Sequence, residues 1–150
     1  MSAPVMLALS TFRQSDKAVS RAVDRAATEN RPLVIVYVVD VNLARYFIGT
    51  DLGMYPELQQ RYEDDVLREH GRIAAERMEH IIREAQDHGV EVRSAIHTGR
   101  FAKECLRIAA EERPSVIITT RSNRPQWVKH FFGSPVDELE ESADGPVEEY

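Results

Sequence analysis

The sequence predicts a three-layer α/β/α domain built on a mostly parallel, open sheet. Three observations carry that prediction. Apolar runs at 4–10, at 33–39, where β-branched residues abound, and again at 116–118 show little alternation, as strands buried on both faces do. Between the runs lie stretches with apolar residues at helical spacing. The two patterns alternate along the chain, which favours parallel strands joined by right-handed crossovers. The 150 residues are expected to form one domain over 1–150, large enough to bury a real core.

Each element follows from local chemistry. Residues 4–10 (PVMLALS) are a buried strand. Residues 15–29 are a helix, with Ser15 as N-cap and Ala18, Ala22 and Ala26 running beside Val19, Val23 and Ala27. Pro32 breaks the pattern, and 33–39 (LVIVYVV) is a second buried strand ending at Asp40. The long connection 41–56 holds Leu43, Tyr46, Phe47, Ile48 and Tyr55. It reads either as a lid over a site or as a cover for the sheet edge or a subunit contact.

Residues 57–88 form the longest helix, with Tyr62, Val66, Ile73, Ala74, Met78, Ile81, Ile82 and Ala85 on one face. Gly71 is a candidate bend, and Gly89 a C′ stop. Residues 90–97 alternate in part, as a strand nearer the sheet edge does. A helix over 101–112, a strand over 115–119 and a last helix from Pro135 to Ala143 complete the order. Gly145-Pro146 ends that helix.

Charge and cysteine content exclude several classes. Seven of the 25 acidic residues lie from Asp137 onward, leaving 18 against all 19 basic ones, so the net charge of −6 sits in a solvated acidic helix and tail over 137–150. No basic face suits nucleic acid. No apolar run approaches the ~20 residues of a membrane span, and the N-terminus lacks a basic n-region, so the expected location is cytoplasmic. The single cysteine, Cys105, reads as a core thiol. The five histidines show no metal-ligand spacing.

The chain's chemistry is expected around 114–136, where any pocket should lie. There the apolar run Val116–Ile118 opens into a basic loop and closes on Gly133-Ser134-Pro135. In open α/β sheets ligands sit beyond the carboxyl ends of strands. Gly133-Ser134-Pro135 has two readings. It offers helix N-terminal amides and the Ser134 hydroxyl to an anion. Equally, Ser134 caps a helix with Pro135 at N1 and Asp137 at N3. Arg121, Arg124, Lys129 and His130 are either a side-chain phosphate grip or a basic loop facing the acidic tail. Trp127, Phe131 and Phe132 pack this segment down or meet a partner.

From residue 5 to about 147 the chain resembles the universal stress protein family, an adenine-nucleotide α-hydrolase-like fold. ATP-binding members carry Gly-x2-Gly-x9-Gly-(Ser/Thr) after the fourth strand. Here Gly133-Ser134 keeps the end of that motif, while Asn123 and Thr120 stand where the first two glycines belong. Glycine there gives positive φ and lets the backbone approach phosphate; Asn tolerates this better than β-branched Thr. Ser10 replaces the aspartate at the end of the first strand, and Val38 keeps the adenine-contacting valine. The resemblance implies a site of Leu9, Ser10, Val38, Thr120, Ser122, Asn123, Arg124, Gly133, Ser134 and Pro135. It implies ATP or AMP as ligand and a homodimer, although the fifth strand, commonly paired across the dimer axis in relatives, is short and acidic here.

Catalysis finds little support. The adenylyl-transfer signatures His-x-Gly-His and Ser-Gly-Gly-x-Asp-Ser are missing, and the strand ends offer Ser10, Asp40, His97 and Thr120 without a recognisable triad. His97 reads as a structural residue. The expectation is a stress-response regulatory module with weak or no ATP binding and no enzymatic role. The alternative is an ATP or AMP sensor whose phosphate loop relies on Arg121, Arg124, Gly133 and Ser134.

Overall fold

A computed structural model describes residues 2–11, 14–40, 56–120 and 146–150. Its elements are β1 (Val5–Ser10), α1 (Asp16–Glu29), β2 (Leu33–Asp40), α2 (Pro56–Asp87), β3 (Val92–Gly99), α3 (Phe101–Glu112), β4 (Val116–Thr119) and β5 (Val147–Glu149). The five strands pair in the order β3-β2-β1-β4-β5, every pair parallel. The expected parallel α/β sheet is present. The expected helix at 135–143 and the connection 41–55 lie outside the described residues.

Every residue of β1 and β2 is buried, because these strands are central and covered on both faces. Alternate side chains go to opposite layers. Val5, Leu7, Leu9, Leu33, Ile35, Tyr37 and Val39 pack with α1 and α2. Met6, Ala8, Val34, Val36 and Val38 pack with Phe101, Cys105 and Ile108 of α3. Cys105 is a buried thiol outside any disulfide, as its place on the apolar helix face requires.

The helix ends are set by local chemistry. The Ala18 amide donates to Ser15 Oγ at 3.3 Å, making Ser15 the N-cap of α1. At its other end Asn30 adopts a left-handed conformation (φ 54°), while the Asn30 and Arg31 amides bond the Ala27 and Ala26 carbonyls. The same double closure ends α2, through Gly89 to Gln86 and Val90 to Ala85, with Gly89 at φ +74°. Because Val90 is used in that closure, β3 begins at Val92 rather than at residue 90.

Helix α2 runs unbroken through Gly71 over 32 residues, about 48 Å at 1.5 Å per residue. It is longer than any strand, so only part of it lies over the sheet. Val66, Leu67, Ala74, Met78, Ile81, Ile82 and Ala85 make its packed face. Ile73, expected on that face, is 36% exposed.

Strand β5 is clipped to α1. Glu148 accepts from Arg25 at 2.8 Å, and the Tyr150 amide bonds the Thr119 carbonyl at 3.0 Å. Lys17 and Arg21 lie 5.8 and 5.6 Å from the centre of the Tyr150 ring, within cation–π range.

A side chain at Gly89 would meet no neighbour, so only the positive φ opposes it. Gly89→Ala should therefore cost about 1 kcal/mol. Urea unfolding would show a lower midpoint at constant m-value; an unchanged midpoint would refute the strain argument.

Candidate functional site

The sheet order places a topological switch between β1 and β4. The chain leaves β1 through α1 towards β2, while β4 lies on the other side of β1. Such a reversal opens a crevice at the carboxyl ends of the two strands, where ligands bind in open α/β sheets.

Four hydroxyl residues gather at these ends: Ser10 and Thr11 after the apolar part of β1, Thr119 and Thr120 at the end of β4. Ser10, Thr119 and Thr120 are at most 3% exposed. Thr119 donates its hydroxyl to the Ala8 carbonyl at 2.8 Å, tying the two strands where they meet the crevice. Ser10 is the register partner of Val38, and Asp40, also buried, ends β2 beyond it. Alternation sets Ser10, Val38 and Asp40 on the face that α3 covers.

Of the sequence-derived site residues, the structure therefore brings Ser10 and Val38 side by side and places Thr120 at the neighbouring strand end. Leu9 is fully buried in the other layer, against α1 and α2, so only its backbone is available to the crevice. Ser122, Asn123, Arg124, Gly133, Ser134 and Pro135 lie outside the described residues, as do Arg121, Lys129 and His130.

A second polar group escaped the sequence reading. Tyr37 sits inside an apolar run, yet its hydroxyl accepts a 2.8 Å hydrogen bond from Gln14, just ahead of the α1 cap. Burial raises the Tyr37 phenol above its ordinary value of 10.0. Thr11 and the charge of Arg77 pull the other way. Thr11 Oγ1 is buried and has no well-formed hydrogen bond among the described residues; the same holds for Arg77 Nε. Arg77 also reaches from α2 to Asp16 in the first turn of α1, at 2.7 Å. A β-branched and aromatic strand pattern hides such a tyrosine, because its partner is remote in sequence.

His97 lies at the far edge. Its register partner is Val38, which pairs in turn with Ser10, so two strand spacings of about 4.8 Å separate His97 from the crevice. Its Nδ1 lies 3.4 Å from Arg107, which Glu104 holds at 2.8 Å. No cluster of three or more metal-ligating side chains occurs among the described residues, and no helix among them is long and apolar enough to cross a membrane.

A cleft of about 250 Å³ lies elsewhere, between α1 (Arg21, Asp24, Arg25, Thr28) and the last residues, Glu148 and Tyr150. Among the described residues of the stretch 114–136, which are 114–120, Ile118 borders it. Arg25 is already paired with Glu29 and Glu148, so this cleft offers an anion little unspent charge.

Fold and crevice together define an open parallel α/β architecture with a switch point between β1 and β4. The universal stress protein family model matches residues 1–147, and the chain belongs to that family. Among solved structures it is similar to the universal stress protein UspA from Lactobacillus plantarum, at 18% identity and TM-score 0.72, covering 99% of this chain and 98% of that one. It is also similar to a universal stress protein solved in complex with cAMP, at 16% identity and TM-score 0.58 over 100% and 98% of the two chains. A third similar structure is a universal stress protein from Archaeoglobus fulgidus in complex with dAMP, at 15% identity and TM-score 0.57 over 99% and 97%. No match was found among curated proteins.

Two measurements test this geometry. With its folded pKa raised, Tyr37 keeps its proton above pH 10.0 while the unfolded phenol loses it. Its contribution is thus complete below pH 10 and declines above it, by up to about 1.4 kcal/mol per pH unit, until the folded pKa is passed. Alkaline unfolding curves of the native protein should fall more steeply than those of Tyr37→Phe; parallel curves would contradict the burial argument.

At the turn into α3, a Cβ on Gly99 would come within 2.9 Å of the Glu104 side chain. Gly99→Ala should push Glu104 off Arg107 and lower the melting temperature by a few degrees at most. Added to Glu104→Ala, the same change should have no effect. Equal losses in both backgrounds would place the strain elsewhere.

Proposed function

We propose that this protein is a non-catalytic regulatory module of the stress-response type, responding to an adenine nucleotide that it holds weakly. The observation that carries the reading is the switch-point crevice. Its end strands supply the backbone edge at Val38, whose side chain is buried under α3 as that of Leu9 is under α1 and α2, and the Ser10 and Thr120 positions for polar contacts. Complexes of two structurally similar family members with cAMP and dAMP support the choice of an adenine ligand.

Phosphate recognition is the weak half. At the first glycine position of the family motif, Thr120 places a buried side chain beside its own amide. Backbone capture of phosphate is hindered there, and the guanidinium groups of Arg121 and Arg124 are the remaining grip. The non-catalytic reading rests on the separation of His97 from Ser10. We further propose a cytoplasmic homodimer. Strand β5 stands at the end of the described sheet, but with Glu148 and Glu149 it is a short, acidic edge for pairing.

Thermal melting with AMP or with ATP and Mg²⁺ tests the reading, alongside mass spectrometry of gently released ligand. Nucleotide at 100 times Kd adds about 2.7 kcal/mol. The expected result is stabilisation at millimolar nucleotide, with Arg124→Ala losing more of the ATP effect than of the AMP effect. No shift with either nucleotide, and none released, would sink the proposal.

A further inference from the structure

We infer that Tyr37 is a positioning residue for the crevice: its hydroxyl, with the Arg77–Asp16 ion pair beside it, holds Gln14 to Asp16, the entry to α1, on the side away from β4 and so keeps the crevice open before ligand arrives. The use made of that opening rests on the nucleotide-binding reading above; the bracing itself does not.

Three observations converge. First, the two contacts act in one direction. Gln14 is drawn to Tyr37 on β2, and Asp16 to Arg77 on α2, at 2.8 and 2.7 Å. Both anchors lie on the β2 side of β1, opposite to β4 in the strand order. Second, the segment they hold follows Ser10 and Thr11, at the crevice, and includes the cap Ser15 and the start of α1. Third, the anchor is rigid. Tyr37 is 1% exposed, in a strand with every residue buried. A buried phenol has two χ angles already fixed by packing, so holding Gln14 requires ordering only one further side chain.

A segment already held in place does not have to be ordered when ligand binds, and that saving appears as affinity. The Tyr37–Gln14 bond exists without ligand, so its loss should be visible in the free protein. Tyr37→Phe keeps the buried ring and removes only the hydroxyl. Gln14→Ala removes the other partner. Gln14→Glu restores the contact with the direction reversed, the phenol now donating to the carboxylate.

The test is amide hydrogen exchange of the full chain without ligand, followed by AMP titration. In Tyr37→Phe and in Gln14→Ala, amides from Gln14 to Val19 should exchange several-fold faster, while those of β1 and β2 stay unchanged. Gln14→Glu should exchange like the native protein, a rescue that a purely packing role for Tyr37 would not give. The double variant should be no faster than either single one. AMP should bind the loosened variants about 3- to 10-fold more weakly, a change of the size expected for ordering a side chain or two. Unchanged exchange at 14–19 in both single variants would overturn the inference, whatever happens to AMP. Faster exchange with no AMP binding even by the native protein would leave the brace standing and remove the nucleotide reading. Faster exchange with unaltered AMP affinity would refute the claim that the brace serves the crevice.

Discussion

Everything in this molecule depends on covering both faces of β1 and β2. All fourteen positions of the two strands are buried, six in β1 and eight in β2. A sheet so apolar needs a helical layer on each side. Right-handed crossovers supply the two layers only if the chain reverses its direction of travel across the sheet. From β1 to β3 it moves one way, and α1 and α2 fall on one face. Returning from β3 to β4 it moves the other way, and α3 falls on the opposite face. The reversal is the switch point, so the crevice follows from the demand for burial and needs no separate device.

Polarity at the strand ends follows from the same geometry. As the strands emerge from the helical layers, apolar side chains give way to Ser10, Asp40, Thr119 and Thr120, all still buried. Burial without partners is costly, and three of the four, Thr119, Asp40 and Thr120, have partners within the protein. The Thr119 hydroxyl bonds the Ala8 carbonyl, and Asp40 and Thr120 are likewise engaged. Tyr37 meets the same demand from within the core: its phenol reaches out to Gln14, and the price is that the turn before α1 must stay near β2.

Much of this was legible in the sequence, and for definite reasons. A continuous apolar run marked β1, and a β-branched one marked β2. Ser15 marked the start of α1, and Gly89 the end of α2, because a cap and a left-handed C′ position each require particular residues. Other features were not legible because they are set by distant contacts. Tyr37 looks like one more strand residue until Gln14 is known to lie against it. Ile73 was read onto the packed face and Leu67 left off it because a helical face drifts over a span as long as α2, and the sheet covers only part of it. Gly71 was a plausible bend, yet nothing crowds its position, so neither packing nor strain asks the helix to deviate there. Of the candidate site, the strand-end residues could be placed. The loop residues carry their argument from the family motif alone.

Thr120 shows how sequence and structure constrain each other at the crevice. Glycine in its place would let the chain turn at once, presenting amides to a phosphate. Threonine favours extended backbone, and here it follows a strand whose ladder to β5 is still intact at Thr119. The Tyr150 amide bonds the Thr119 carbonyl, and Tyr150 itself packs against the α1–α2 core. A sharp turn at 120 would therefore have to disturb the pairing that fixes β5. Extending β4 and forming a glycine-type phosphate cradle are competing uses of the same few residues. The ladder to β5 through Thr119, next to Thr120, is the first of these uses, and it is why the proposed grip on phosphate is assigned to side chains.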